Sequence, residues 1–215
     1  ESEIVEVTPG RGSLIARVKG TGAEAPLCLL SHIDVATADP KEWREGFGPF
    51  SGLIDDEGVL WGRGALDMKG MGAIEAQTLV WLKRLGVPLR RDVVLLAVAD
   101  EEVDNTGMRH VVQQHWDKVG CSHLINEGGL GVVDALFEGQ TAYAISVAEK
   151  GVLWVRMRVK GASGHGSTPR PELAPARLLD AIQRIRQRDL DPSVDDALTE
   201  LLARVGDQGG GMKGF

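Results

Sequence analysis

Three short apolar segments constrain the fold of this 215-residue chain more than any other feature. They cover residues 27–31, 93–99 and 123–126, and polar or turn residues bound each of them. Apolar runs of this length are typical of strands that are buried on both faces of a sheet. Between the first two, residues 72–85 place apolar side chains at helical spacing and stop at Gly86, which suits a helix cap. Strands that alternate with helices predict an α/β fold with a mainly parallel sheet and helices on both faces.

The character of the sequence changes near residue 149. An apolar segment at residues 152–159 predicts a long strand, and a loop rich in glycine, serine and histidine follows it. Further along, apolar residues at helical spacing predict an amphipathic helix. This order indicates the beginning of a smaller α+β domain. We therefore predict two domains, residues 1–148 and residues 149–215.

Metal-binding residue types follow each predicted strand of the first domain. The first strand runs into the sequence His-Ile-Asp, the second into Asp-Glu-Glu and the third into Asn-Glu-Gly-Gly. A glycine-rich loop at residues 62–70 adds an aspartate just before the predicted helix. In sheets of this kind, ligands bind beyond the carboxyl ends of the strands, so these side chains are expected at one edge. The candidates are His32, Asp34, Asp67, Glu101, Glu102 and Glu127.

One imidazole and several carboxylates suit a borderline divalent cation, with Zn²⁺ first and Co²⁺ or Mn²⁺ as alternatives. Residues two apart on a strand point to the same side, so Asp34 can accept the second ring N–H of His32. Adjacent Glu101 and Glu102 point in different directions on an extended backbone. One of them can therefore bind metal while the other remains free to transfer protons.

Charge and composition exclude several classes of function. The net charge is −7, from 24 basic and 31 acidic residues, and no basic tract offsets it. Binding of nucleic acid or of an anionic membrane through a positive face is therefore not expected. No apolar run approaches the roughly 20 residues of a membrane span. A cytoplasmic location is the default expectation.

The two cysteines, Cys28 and Cys121, lie far apart in the sequence and belong to no paired motif. Such spacing indicates neither a disulfide framework nor a thiolate zinc site, so two buried free thiols are predicted. The glycine-rich loop at residues 62–70 lacks the spacing of a P-loop and of a dinucleotide fingerprint. Nucleotide binding is therefore not predicted.

The motifs named so far resemble those of the M20 metallopeptidase and aminoacylase group. His-Ile-Asp, the 62–70 loop, Asp-Glu-Glu, Asn-Glu-Gly-Gly and a Gly-Ala-Ser-Gly-His sequence at 161–165 occur in the family's order and approximate spacing. The resemblance covers almost the whole chain. It implies a zinc-peptidase-like catalytic domain, a ferredoxin-like dimerisation domain and a homodimer. The implied substrates are peptides or N-acyl amino acids, whose amide bonds are hydrolysed.

The resemblance also implies a carboxylate-bridged centre that holds two Zn²⁺ ions. Asp67 would bridge the two metals. His32 and Glu127 would bind one metal, and Glu102 the other. Two close divalent ions can activate water and polarise a carbonyl, which is what amide hydrolysis requires.

Further roles follow from the same resemblance. Glu101 would be the general base that takes a proton from water and passes it to the leaving nitrogen. Asp34 would support His32. His165, on the second domain, would help hold the tetrahedral oxyanion, in many relatives at the site of a partner subunit.

One feature departs from the family pattern. The family's fifth metal ligand is a histidine near the C-terminus of the catalytic domain, and the last histidine here is His165. The Glu102 metal site is therefore expected to be incomplete. The chain is interpreted as a fragment of a longer protein, and activity of this fragment alone is not expected. The alternative is a catalytically inactive family member that acts as a metal-binding, ligand-binding or regulatory protein. Glu101 argues against it, because an inactive protein has no use for a free base beside a ligand.

Overall fold

In a computed structural model, the chain forms two compact units, Glu1–Gly128 and Gly129–Phe215. The structure describes residues 1–129, 131–134, 138–146, 151, 153–168, 173–189 and 195–208. The predicted boundary between residues 148 and 149 falls within the second unit and stays a prediction. Each unit is described by itself below.

The first unit is built around a five-stranded sheet. Its elements, in chain order, are β1 (Ser2–Thr8), β2 (Arg11–Val18), β3 (Leu27–His32), β4 (Leu53–Ile54), β5 (Leu60–Trp61), α1 (Gly70–Arg84), β6 (Val93–Val98), α2 (Thr106–Gln114), α3 (Trp116–Val119) and β7 (His123–Ile125). The strand order in the sheet is β1-β2-β6-β3-β7, and β4 and β5 form a separate hairpin.

The sheet is mixed, so the prediction of a mainly parallel sheet is wrong, although the α/β class is right. Strand β3 runs parallel to both β6 and β7, whereas β2 is antiparallel to both β1 and β6. The antiparallel half is a hairpin that turns at Gly10, where φ is +81°. Sequence analysis missed this hairpin because β1 buries only Val5 and shows no apolar run.

Helices cover both faces of the sheet, as predicted. Because side chains alternate along a strand, β3 and β6 supply both cores. One core packs α2 and α3 against the sheet through Cys28, Val94, Leu96, Val98, Val111 and Val119. The other packs α1 against it through Leu29, Leu79, Val93 and Leu95. Burying each such side chain contributes about 1.5–3 kcal/mol, so the central strands are the best-anchored part of the unit.

The prediction of two free thiols is wrong. Cys28 and Cys121 form a disulfide, and their Cα atoms are 5.7 Å apart, within the usual range for bridged cysteines. Strand β7 begins two residues after Cys121 and pairs with β3, where Cys28 lies opposite Leu124. The topology therefore brings the two cysteines together, and their spacing in the sequence does not reveal it.

The described part of the second unit contains β8 (Gly131–Val133), β9 (Thr141–Tyr143), α4 (Ala174–Arg186) and α5 (Asp196–Gln208). Strands β8 and β9 form an antiparallel hairpin. The amphipathic helix predicted here is present as α4. The strand predicted over residues 152–159 is absent from the described residues 153–159, where Leu153 and Trp154 are exposed. A strand needs a paired neighbour, and no described strand lies beside this segment.

The helices were also compared with the requirements of a membrane span. Among those in the described ranges, none has both the length and the hydropathy that crossing a bilayer requires.

Candidate metal centre

His32 is the last residue of β3 and lies at the centre of a group of carboxylates. Its side chain is only 2% exposed. The ring Nε2 is 3.0 Å from Asp67 Oδ1 and 3.7 Å from Glu127 Oε2. The ring Nδ1 is 3.0 Å from the backbone oxygen of Asp34 and 3.6 Å from its carboxylate. The prediction that the Asp34 carboxylate accepts the second ring N–H is therefore wrong, because the Asp34 backbone oxygen lies closer and accepts it. The other side of the imidazole faces two candidate metal ligands.

Asp67 reaches His32 from the short turn Ala65–Lys69, which precedes α1. Met68 is buried beside Asp67, and its sulfur accepts a hydrogen bond from the backbone N–H of His32 at 3.3 Å. Lys69 donates through Nζ to the backbone oxygen of Ile33. The two residues that follow Asp67 therefore attach the turn to the end of β3. These contacts explain why a loop residue stands so close to a strand residue.

Glu101 and Glu102 follow β6, and Asp34 binds the backbone of both. One carboxylate oxygen of Asp34 accepts the N–H of Glu101 at 3.0 Å, and the other accepts the N–H of Glu102 at 3.1 Å. The side chain of Glu102 accepts the N–H of Ala36 at 3.0 Å. This double contact of Asp34 was not predicted, because strand spacing alone pointed its carboxylate only at His32.

The ligand atoms of these residues lie close enough to share a cation. Atoms from His32, Asp67 and Glu102 all lie within 4.8 Å of one another, and so do atoms from His32, Glu101 and Glu127. A buried imidazole with surrounding carboxylates fits the ligand preferences of Zn²⁺, Co²⁺ and Mn²⁺. The grouping differs from the predicted one, in which Glu102 and Glu127 bind different metals and Glu101 binds neither. The division of ligands therefore stays a prediction.

The electrostatics of the group favour a bound cation. Burial raises the pKa of Glu101 and of Glu127, His32 opposes this shift, and the neighbouring carboxylates add to it. Burial lowers the pKa of His32, yet hydrogen bonds to Asp67 and to the Asp34 carbonyl, together with the nearby carboxylate charges, outweigh burial and raise it. Burial is the main cause for the two glutamates, and the contributions of neighbouring carboxylates to all three pKa values reflect negative charge that a divalent cation would neutralise.

His165 belongs to the second unit, whereas the other six predicted site residues come together in the first. It is exposed, and its Nδ1 lies 2.7 Å from the hydroxyl of Ser167. The backbone N–H of Ser167 also donates to Nδ1, at 3.2 Å. These local contacts orient the ring, and the predicted role of His165 stays a prediction.

The fold and the site define a class: an α/β unit with an imidazole and carboxylates beyond its strand ends, suited to binding divalent metal. Residues 28–208 match the family described as "Peptidase family M20/M25/M40". The chain belongs to this family, which confirms the resemblance seen in the sequence.

Individual relatives agree with the family. The N-fatty-acyl-amino acid synthase/hydrolase PM20D1 of Xenopus tropicalis is 32% identical over 165 residues, which are 75% of this chain and 32% of the relative. A probable succinyl-diaminopimelate desuccinylase of Staphylococcus epidermidis is 32% identical over 171 residues, 79% of this chain and 38% of the relative.

Among solved structures, the M20 family metallo-carboxypeptidase Sso-CP2 from Sulfolobus solfataricus is similar, with a TM-score of 0.50 and 27% identity. The similarity covers 61% of this chain and 29% of the carboxypeptidase. The chain thus spans about a third of the length of the curated relatives it matches.

Proposed function

We propose that this chain belongs to a metal-dependent hydrolase that cleaves amide bonds of peptides or N-acyl amino acids. The observation that supports this most directly is the group of carboxylates around the buried imidazole of His32. Family membership adds the reaction class. The names of the relatives include an N-fatty-acyl-amino acid hydrolase, a desuccinylase and a carboxypeptidase, which supports this range of substrates.

The proposed ligands for two Zn²⁺ ions are His32, Asp67, Glu102 and Glu127, with Asp67 shared between the two ions. Co²⁺ or Mn²⁺ would suit the same atoms. When bound, the metal would act as a Lewis acid that activates water and polarises the amide carbonyl. The hydrogen bond from Ala36 N–H holds the Glu102 carboxylate, and the bond from Lys69 Nζ to the Ile33 backbone oxygen holds the segment beside Asp67, before a metal arrives.

Glu101 is the proposed general base. Within the described residues, its side chain makes no hydrogen bond, whereas the carboxylate of Glu102 is bound by Ala36. A carboxylate without a structural partner can take a proton from the attacking water and pass it to the leaving amine. Asp34 keeps the Glu101 backbone fixed while the proton moves.

His165 is proposed to donate to the oxyanion that forms on the substrate. Its ring is oriented by Ser167, which leaves Nε2 available. In the proposed arrangement, the second unit mediates a homodimer, and His165 serves the site of the partner subunit. The oligomeric state in solution, measured by light scattering coupled to size-exclusion chromatography, tests this part separately.

The main test compares four proteins after loading with zinc and dialysis: the parent, Asp67→Ala, Glu101→Gln and the control Asp56→Ala. Asp56 is an exposed acidic residue in the loop between β4 and β5. Bound zinc is measured by elemental analysis, and hydrolysis of N-acetyl-L-methionine and of dipeptides by chromatography. The parent and Asp56→Ala are expected to bind zinc, Asp67→Ala to lose it and Glu101→Gln to keep it. Because the Glu102 metal site is expected to be incomplete in these 215 residues, hydrolysis is compared in the full-length enzyme to which the chain is proposed to belong. There the parent and Asp56→Ala are expected to be active, and Asp67→Ala and Glu101→Gln inactive.

Two outcomes would count against the proposal. A folded parent that binds no more zinc than Asp67→Ala would contradict the proposed metal centre. Full activity in Glu101→Gln would contradict the assignment of Glu101 as the general base.

A further inference from the structure

Asp100 stands directly before Glu101 and Glu102, and the proposed chemistry does not use it. It is only 5% exposed. Its φ is +66°, in the left-handed region that non-glycine residues rarely adopt and that aspartate and asparagine tolerate best. A buried carboxylate in this conformation needs surrounding contacts that compensate for both features.

Two side chains from other elements supply these contacts. Arg11, the first residue of β2, forms an ion pair with one carboxylate oxygen of Asp100. Thr106, the first residue of α2, donates its hydroxyl to the other oxygen. The backbone oxygen of Asp100 accepts the N–H groups of Asp104 at 3.2 Å and Asn105 at 2.7 Å. Through these contacts, Asp100 links the loop that contains Glu101 and Glu102 to both β2 and α2.

The backbone conformation of Asp100 determines the positions of Glu101 and Glu102. A strand that simply continued past β6 would place successive side chains on opposite faces. The left-handed residue instead turns the chain, and the N–H groups of Glu101 and Glu102 then both meet the carboxylate of Asp34. The backbone of the pair is thus held by Asp34 on one side and by Asp100 on the other.

We propose that Asp100 is a positioning residue that fixes the backbone of Glu101 and Glu102, with Arg11 and Thr106 holding it in place. The inference rests on the proposed function, because it assigns a task to the residue that precedes the base and the ligand. Two features contribute, the left-handed backbone and the contacts of the carboxylate, and the substitutions below remove the carboxylate contacts while the left-handed backbone is kept.

Two variants of Asp100 and one control measure the contribution of the carboxylate contacts. Asp100→Gly keeps the left-handed backbone and removes the carboxylate contacts. Asp100→Asn keeps the left-handed backbone, an oxygen that can accept from Arg11 and an amide N–H that can donate to the Thr106 hydroxyl, and it loses the negative charge. The control is Asn105→Gly, because Asn105 is exposed, lies in the same loop and also has a positive φ, +56°.

Calorimetric titration with zinc chloride is measured for each protein, and the folded fraction is checked by circular dichroism. Steady-state kinetics on N-acetyl-L-methionine are measured with each substitution in the full-length enzyme to which the chain is proposed to belong. Asp100→Gly is expected to lower kcat and zinc affinity by about 10- to 100-fold each, with little change in KM. Asp100→Asn is expected to recover most of both losses. Asn105→Gly is expected to match the parent within about twofold.

The inference is overturned if Asp100→Gly matches Asn105→Gly in zinc affinity and in kcat per folded molecule. It is also overturned if Asp100→Gly loses activity only in proportion to its unfolded fraction. A full-length parent enzyme that hydrolyses no amide defeats the proposed function instead. In that case the zinc titrations of Asp100→Gly and Asn105→Gly still decide the positioning role.

Discussion

At the scale of single residues, Asp34 organises the candidate centre more than its sequence position suggested. Its backbone oxygen faces the His32 ring, and its carboxylate binds the amides of Glu101 and Glu102. Two acceptors on one side chain therefore align the base and a ligand from another strand end. Side chains that orient metal ligands in this way typically affect metal affinity or activity by about 10- to 100-fold.

Asp34→Asn is expected to reduce kcat by about tenfold or more, because the amide group replaces one acceptor with a donor that faces a backbone N–H. The measurement is kcat on N-acetyl-L-methionine at saturating zinc. Asp104→Asn serves as the control, since Asp104 is an exposed carboxylate in the neighbouring loop. Equal kcat values for the two variants would show that the double contact does not matter for turnover.

Glu75, on α1, is a buried carboxyl group outside the centre. It is 5% exposed, and within the described residues neither of its oxygens makes a hydrogen bond. Burial raises its pKa, and the nearby hydroxyl of Ser31 opposes the shift. Because the folded pKa lies above the unfolded one, the native state binds more protons between these values. Folding stability therefore falls as pH rises through that interval and stays lower above it.

Glu75→Gln is expected to remove this dependence, because glutamine keeps the shape without the charge. The free energy of unfolding of the variant should exceed that of the parent by about 1 kcal/mol or more near neutral pH. The difference in unfolding free energy between variant and parent should decrease as the pH is lowered toward the ordinary pKa of glutamate. Urea unfolding of the metal-free proteins from about pH 5 to pH 8 measures it. The exposed Glu57→Gln variant provides the control, and a constant difference across pH would contradict the assignment.

At the scale of elements, the start of α2 packs unusually close to the end of β6. A Cβ added to Gly107 would lie 2.3 Å from the backbone oxygen of Ala99 and 2.8 Å from the hydroxyl of Ser13. That hydroxyl accepts the N–H of Ala99 at 3.1 Å. Ala99 lies just before the loop that contains Glu101 and Glu102. The close packing of α2 against Ala99 therefore helps to hold this loop in position.

Gly107→Ala is expected to lower the free energy of unfolding by about 1–3 kcal/mol, because backbone atoms cannot move aside as a flexible side chain can. It should also weaken zinc binding, since the displaced strand end leads into residues 100–102. Gly48→Ala is the matched control, because a Cβ there meets no atom within 4 Å. Chemical denaturation and calorimetric titration with zinc check both effects. A variant as stable as Gly48→Ala would contradict the packing argument.

The sequence predicted the buried elements well and the peripheral ones poorly. Strands β3 and β6 were recognisable, because their buried apolar runs leave few alternatives. Strand β7 was also found, but the prediction that it is buried is wrong, since its three residues are exposed. The hairpin β1–β2 was missed, since a single buried Val5 gives no pattern. The disulfide was missed because it depends on the pairing of β3 with β7, which is a property of the topology.

The same distinction holds for the candidate site. Residue types at strand ends were enough to select His32, Asp67 and the glutamates, because side chains at those ends converge whatever the loops do. The contacts of Asp34 and Asp100 with backbone groups were not predictable, because they depend on how the loop after β6 turns. Sequence spacing alone does not encode such a turn.

At the scale of the whole molecule, the candidate metal ligands all lie within Glu1–Gly128, although the chain forms two units. Any ligand that binds only the folded state stabilises it, by about 2.7 kcal/mol at a free concentration one hundred times its Kd. Zinc should therefore suppress local opening in the first unit. The amide groups of α4 and α5 belong to the second unit and should not respond to zinc.

Hydrogen exchange measured by mass spectrometry, with and without zinc, tests this expectation peptide by peptide. Slower exchange is expected in peptides that contain His32, Asp67 and residues 100–102, because these backbone segments hold the ligands. Peptides from α4 and α5 are expected to exchange at the same rate in both conditions. The Asp67→Ala variant should lose the protection in the first unit, which separates site binding from general effects of zinc. Protection of α4 and α5 as strong as that of the His32 peptide would show that zinc binding also involves the second unit.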